Sequence, residues 1–339
     1  NNSVTIESTG TVIGRASAIH ADGATTFRNS GTVIGNSAGL EFLGTGNSIT
    51  NDGAVHAGSG FGMIVGVPGP AGSNSIVNTG LILSAGTGIF AGAAETALFN
   101  TGTIEAVSND AYLAGGKNAV INNGLMFGHG GSALSLGSGA DAVVNNGVMQ
   151  GRVTAAVLGG GNDLFDGRLG IQVGIVDGGT GNDTLYGGAQ SDMLVGGLDN
   201  DTLHGMAGVD ALAGGDGVDT LNGGDGTDNL FGEAGSDLIY GGAGGDVIRG
   251  GLGGDLYVFN VGDNGDLIQS FNEGGVRDGF DLRGYFDAIG FAGADPRAAG
   301  LMQVLQNGVD TDVYLSGAFA FRIAGVSAAA IDNTYFLFQ

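Results

Sequence analysis

Apolar residues fall in short alternating runs broken by glycine along the whole chain. Glycine weakens helices and serves turns, so these runs read as short β-strands, and a helical fold is not expected. In the first 150 or so residues the runs recur about every 22 residues, each opened by Asn or Ser, a small polar residue and Gly. The markers are STGTVIG at Ser8, NSGTVIG at Asn29, NDGAVHAG at Asn51, NTGLILSAG at Asn78, NTGTIEAV at Asn100, NNGLMFG at Asn122 and NNGVMQG at Asn145. A second apolar strand lies between markers, as in Ala38 to Leu43 and Ala133 to Leu136. Short strands and turns at this period predict the coils of a parallel β-helix, with the aligned asparagines stacked in a ladder that satisfies turn amides. The longer spacing from Gly53 to Gly80 holds VPGPAGS, read as a loop bulging from one coil.

From Gly178 the period changes to nine: GGTGNDTLY, GGAQSDMLV, GGLDNDTLH, GMAGVDALA, GGDGVDTLN, GGDGTDNLF, GEAGSDLIY, GGAGGDVIR, GGLGGDLYV. The sixth place is always aspartate: Asp183, Asp192, Asp201, Asp210, Asp219, Asp228, Asp237, Asp246 and Asp255. The eighth is Leu, Ile or, once, Tyr257. Glycines at places one, two and four permit a tight turn that exposes carbonyl oxygens, and the last three residues form a short strand whose middle side chain points inward. Carboxylates beside carbonyls are hard oxygen ligands, suited to the flexible six- to eight-fold coordination of Ca²⁺ more than to the strict octahedron of Mg²⁺.

This nonapeptide pattern resembles that of the RTX (repeats-in-toxin) calcium-binding proteins. The resemblance implies a parallel β-roll in which two nonapeptides make one turn, so that Asp183 and Asp201, or Asp192 and Asp210, face one another and share several Ca²⁺ ions. Imperfect flanks extend the pattern: LGGGNDLFDG, with Asp163 and Asp166, and VGDNGDLI, with Asp263 and Asp266. Gln190 and Asp199 replace the fourth-place glycine, and Met206 and Glu233 the second, which puts the geometry of those turns in question. The N-terminal coils are similar to the parallel β-helices of bacterial adhesins.

After Leu267 the repeats stop. LMQVLQ-NG-VDTDVYL predicts a hairpin with a type I′ turn at Asn307-Gly308, followed by strands in FAFRIAG and NTYFLF and a short helix at Ser327 to Ile331. The segment resembles the C-terminal targeting domain of type I secretion substrates, which implies export from a Gram-negative bacterium without an N-terminal signal. It also reads as a β-rich cap over the open end of the roll. The expected architecture is therefore all-β: a parallel β-helix over 1–157, an RTX β-roll over 158–268, and a secretion and capping domain over 269–339.

Composition narrows the function. The 339 residues include 73 glycines and carry 34 acids against 10 bases, a formal charge of −24, and Lys117 is the sole lysine. Such a surface offers nothing to nucleic acid or anionic lipid, and no apolar run is long enough for membrane insertion. About eight Ca²⁺ ions would bring about sixteen positive charges. With no cysteine, metal rather than disulfides is left to stabilise the chain outside the cell. There is no HExxH and no GxSxG, and His20, His56, His129 and His204 are scattered without ligand spacing. Nor do the few bases and acids of the β-helix cluster as a polysaccharide lyase or epimerase needs. No enzyme is expected.

The expected function is structural: a secreted protein that folds on Ca²⁺ outside the cell and assembles at the bacterial surface as an S-layer, matrix filament or adhesive fibre. Its coils are already in repeat at VTIESTGTVIG, and an uncapped coil is a sheet edge that head-to-tail stacking of copies of the chain would cover. The alternatives are a monomeric adhesin that binds a cell-surface polysaccharide and, behind it, a β-helix polysaccharide enzyme.

Overall fold

The computed structural model describes residues 2–66, 72–92, 95–293 and 295–338. Residues 67–71, most of the expected VPGPAGS loop, lie outside the described residues. The chain forms two compact units, Asn1–Leu185 and Tyr186–Gln339.

In the first unit each early coil has three strands, exemplified by Thr25–Asn29, Thr32–Gly35 and Ala38–Leu43. Every strand pairs in parallel with its counterpart one coil on, which brings like residues into columns. Phe27, Ile49, Ile76, Leu98, Val120, Val143 and Phe165 form one such column, each at most 1% exposed. This is the period-two pattern seen from inside: alternate residues enter a core that no single coil could bury alone.

The expected asparagine ladder is present. Asn29, Asn51, Asn78, Asn100, Asn122 and Asn145 are fully buried, and each side-chain amide donates to the next Oδ1 at 2.8 Å. Ser8 is not part of it. Strand pairing sets Ile6 opposite Asn29, because the turn to Gly10 is longer in the first coil than the turn to Gly31 in the second.

Towards residue 148 the coils shorten. Two strands merge into Val148–Gly160, which pairs with Ile171–Thr180 through register shifts at Gln150/Thr154 and Thr154/Ala156. Equivalent positions are 23 residues apart from Asn118 to Asp141, 22 to Asp163 and 20 to Asp183. In the second unit the separation settles at 18, which leaves room for two strands per coil.

There the eighth-place residues make two columns: Leu194, Leu212, Leu230, Ile248 on one side and Leu203, Leu221, Ile239, Tyr257 on the other, all at most 1% exposed. The last coils fill with aromatic rings; Phe280 lies 5.6 Å from Tyr257 and 5.3 Å from Phe336 between ring centroids. Ala318–Ile323 pairs in parallel with Asp266–Gln269, and Phe336–Leu337 with Gly279–Asp281, so both edges of the final coil are extended. Ala318–Ile323 in turn pairs with the expected hairpin, Met302–Asn307 and Asp310–Leu315. Its two loop residues are Gly308 and Val309, and only Gly308 has positive φ, the type II′ pattern rather than the expected type I′. The expected short helix is a single 3-10 turn, Ala328–Ala330, capped by Ser327, and a helix not foreseen spans Arg283–Ala288.

Candidate metal centre

The sixth-place aspartates of the second unit stand in two rows, each extended by one later aspartate. Asp192, Asp210, Asp228, Asp246 and Asp266 form one, and Asp201, Asp219, Asp237, Asp255 and Asp278 the other. Along each row the backbone N–H of one aspartate donates to Oδ1 of the next, at 2.8–3.0 Å. In the first unit Asp163 donates likewise to Asp183 at 2.8 Å. One carboxylate oxygen thus does a structural task, fixing a turn amide of the preceding coil.

The other oxygen is left over. Oδ2 of Asp163, Asp210, Asp219, Asp228, Asp237, Asp246, Asp255 and Asp266 is buried with no hydrogen-bond partner. The side chains are at most 3% exposed. A buried carboxylate without counter-charge resists ionising. Burial accordingly pushes the Asp237 carboxyl up to about 7 and those of Asp192 and Asp210 up to about 6. Asp246 and Asp266 are both raised, first by burial and then by neighbouring carboxylates, those of Asp228 and Asp263 for Asp246 and those of Asp246 and Asp263 for Asp266. Orphaned oxygens of this kind, aligned and beside turn carbonyls, suit a hard divalent cation, which would supply the missing charge and ligand partners together.

The first-place glycines make the room. A Cβ on Gly205, Gly214 or Gly223 would stand 2.4–2.5 Å from Oδ2 of Asp210, Asp219 or Asp228, and on Gly223 also 2.5 Å from the carbonyl oxygen of Gly241 in the next coil. Second and fourth places serve the backbone instead, with positive φ at Gly215 and Gly217 alike. Three of the irregular residues, Met206, Glu233 and Asp199, accept this conformation at φ 81, 74 and 77. Gln190 does not. In its turn neither Gly188 nor Gln190 has positive φ, and Asp192 folds back so that Oδ2 accepts the Gly188 amide at 2.7 Å, leaving Oδ1 as the unpartnered oxygen.

The flanking acids divide. Asp266 continues a row, whereas Asp263 belongs to neither and accepts the Asn260 amide within its own turn at 2.6 Å. Asp166 is neutralised by Arg168, its Oδ2 lying 2.7 Å from the guanidinium. Sequence reasoning missed Asp278, which ends a row with both oxygens used, by the amides of Asp255 and Asn272. It also missed Asp141, whose Oδ1 is the next acceptor upstream, taking the Asn118 amide. The signal for Asp141 was available: Asn47, Asn74, Asn118 and Asp141 each precede a ladder asparagine by four residues. Among the described residues no three carboxylate or imidazole groups converge, so a cation here would rest on paired carboxylates and backbone carbonyls. The histidines stay apart: His20 pairs with Glu41 at 3.1 Å, His129 with Glu105 at 2.9 Å, and His204 stacks on Tyr186 at 4.8 Å.

The RTX calcium-binding nonapeptide repeat matches this chain in four copies, over 175–203, 186–221, 195–230 and 222–257. Repeats of this type bind Ca²⁺ and are not themselves catalytic. Among solved structures the chain is similar to the AlgE6R2 subunit of the Azotobacter vinelandii mannuronan C5-epimerase, with 27% identity, 42% of this chain and 91% of that one covered, and a TM-score of 0.27. The AlgE6R3 subunit gives 28% identity over 42% of this chain and 80% of that one, with a TM-score of 0.26. No curated protein matches the sequence.

Proposed function

We propose that this chain, which carries RTX calcium-binding repeats, is a secreted structural protein that folds on Ca²⁺ outside the cell and assembles at or around a bacterial surface. The observation that carries the calcium part is the set of buried, unpartnered Oδ2 atoms along the aspartate rows. Inside a cell, where Ca²⁺ is scarce, those carboxylates repel one another and hold the repeats open. Outside, sites with Kd of about 10⁻⁴ to 10⁻³ M fill, and filling is folding. The ligand carboxylates in this reading are Asp163, Asp183, the row aspartates from Asp192 to Asp255, and Asp266; the ions supply charge neutralisation, and the chain's carbonyls complete the coordination.

Assembly is supported by the outer surface of the first unit. Val77, Phe99, Ile121 and Val144 stack outward in one register column, with Phe99 37% and Ile121 41% exposed. An apolar stripe of this kind in register over four coils suits another apolar surface, and copies of the chain are the partner proposed. Electron microscopy and light scattering of the native full-length protein, with and without millimolar Ca²⁺, test this. Calcium-dependent filaments or sheets are expected, and dispersed, folded monomers at every calcium concentration would refute assembly while leaving calcium-driven folding intact.

A second reading, a monomeric adhesin, is favoured by the partly buried rings of Phe61, Phe90 and Tyr112, which stand 5.4 and 5.6 Å apart across three coils. Aromatic faces in a line suit the apolar faces of sugar rings. Glycan-array binding that Phe90→Ala abolishes would select it over assembly. The chain is non-catalytic in both readings, and depolymerisation or epimerisation of acidic polysaccharide by the purified protein would overturn that.

A further inference from the structure

The aspartate rows have a counterpart in the first unit that carries no charge. The Thr25 amide donates to Asn47 Oδ1, the Asn47 amide to Asn74 Oδ1 and the Thr96 amide to Asn118 Oδ1, each at 3.1–3.2 Å. The Asn118 amide then donates to Asp141 Oδ1, and the Asp141 amide to Asp163 Oδ1 at 2.7 Å. Every member fixes the preceding coil in the same way. They differ in the second atom of the side chain.

In Asn118 that atom is an NH₂ group, and it donates to the carbonyl oxygens of Leu113, Gly115 and Gly116 at 3.4, 2.7 and 3.2 Å. The turn is thereby satisfied without an ion. One coil later Leu136 pairs with Leu113, so Ser138 and Gly139 follow in the sequence where Gly115 and Gly116 stand before Asn118, in a turn of different shape, with φ 138 at Gly139 against 22 at Gly116. There the second atom is an oxygen. Oδ2 of Asp141 is buried without a partner, as is Oδ2 of Asp163, and both side chains are only 3% exposed. No ion pair reaches either one among the described residues. A buried oxyanion with no donor is the inverse of the Asn118 arrangement, and a cation is what would supply the missing attraction.

We infer that Asp141 and Asp163 hold a divalent cation of the Ca²⁺ class between the coils ending at these two residues, with backbone carbonyls of Asp141's turn as further ligands. The site lies upstream of the nonapeptide block, in coils of 22 and 20 residues. Leu136 and Leu158 also occupy the place that is glycine in every nonapeptide. Asn-to-Asp replacement at one ladder position therefore divides the first unit into coils closed by an amide and coils closed by an ion. The inference rests on the reading that buried Oδ2 atoms of the aspartate rows bind Ca²⁺.

The test counts ions on the EDTA-stripped full chain by native mass spectrometry during a Ca²⁺ titration, comparing wild type, Asp141→Asn and Asn118→Asp. Asp141→Asn keeps the Oδ1 acceptor and is expected to bind one ion fewer, with unchanged or higher melting temperature in EDTA. Should it fail to fold, Asn118→Asp decides, since it is expected to bind one ion more than wild type. A wild type that binds several ions and variants with the same count would overturn this site alone. A wild type that binds none would overturn the calcium reading itself.

Discussion

Row aspartates such as Asp210, Asp219, Asp228, Asp237 and Asp255 divide two tasks between two oxygens, and the division makes separable mutations. Asp228 Oδ1 accepts the Asp210 amide at 2.8 Å, while its Oδ2 is the unpartnered atom. Asp228→Asn removes the charge and keeps the acceptor, so calcium stoichiometry should fall with little loss of stability in EDTA. Asp228→Ala also strands a buried N–H, at a further cost of about 1–3 kcal/mol, measurable as the difference between the two variants in thermal melts. The raised carboxyl pKa values have a sign. A group titrating near 6 or 7 when folded, as Asp210 and Asp237 do, and near 4 when unfolded favours the calcium-free fold fully below pH 4, and that contribution disappears as pH rises through 6 to 7. In EDTA the roll should thus melt higher at pH 5 than at pH 8. In Ca²⁺ the order reverses, because protons compete with the ion and the calcium midpoint rises as pH falls. Asp110 shows the alternative solution: buried alone, it is pushed up to about 9 and stays neutral by holding its proton.

At the scale of strands and turns, stacking makes each side chain answer to its neighbours one coil away. Asn100 receives the Asn78 amide and donates to Asn122 Oδ1 and to the carbonyl of Leu125. Asn100→Ala should cost about 2–3 kcal/mol by leaving buried donors and acceptors unmet, and should leave calcium stoichiometry unchanged. Glu233 sits at φ 74 in a place most repeats give to glycine. Glu233→Gly is expected to raise stability in saturating Ca²⁺ by about 0.5–1 kcal/mol, read as a shift in denaturation midpoint. The strands, the inward eighth-place side chains and the asparagine ladder were all legible as periodicity. Ser8 was not, because two extra residues in one turn shift which side chain enters the column, and nothing within that turn announces the shift. The hairpin was legible from alternation, and its turn type was not, since Asn307 pairs with Asp310 and pushes the turn one residue on.

For the molecule as a whole, the two ways of closing a coil imply two responses to calcium removal. Coils closed by amides, up to the turn of Asn118, should stay protected in EDTA, while the nonapeptide coils open; limited proteolysis with mass mapping should find early cuts confined to residues beyond about 140. Rapid cutting between Asn29 and Asn122 in EDTA would contradict this. The sequence by itself determined the all-β solenoid character, the change of period, the side chains that face inward and the oxygen-only chemistry of the repeats, because each is written in local spacing and residue type. Only the tertiary structure decided that Asp266 and Asp278 join the rows while Asp263 turns aside, and that Asn118 and Asp141 hold equivalent places with opposite needs. Those facts depend on register between coils 18 to 23 residues apart, and a single inserted or deleted residue in a turn resets that register without altering the local pattern.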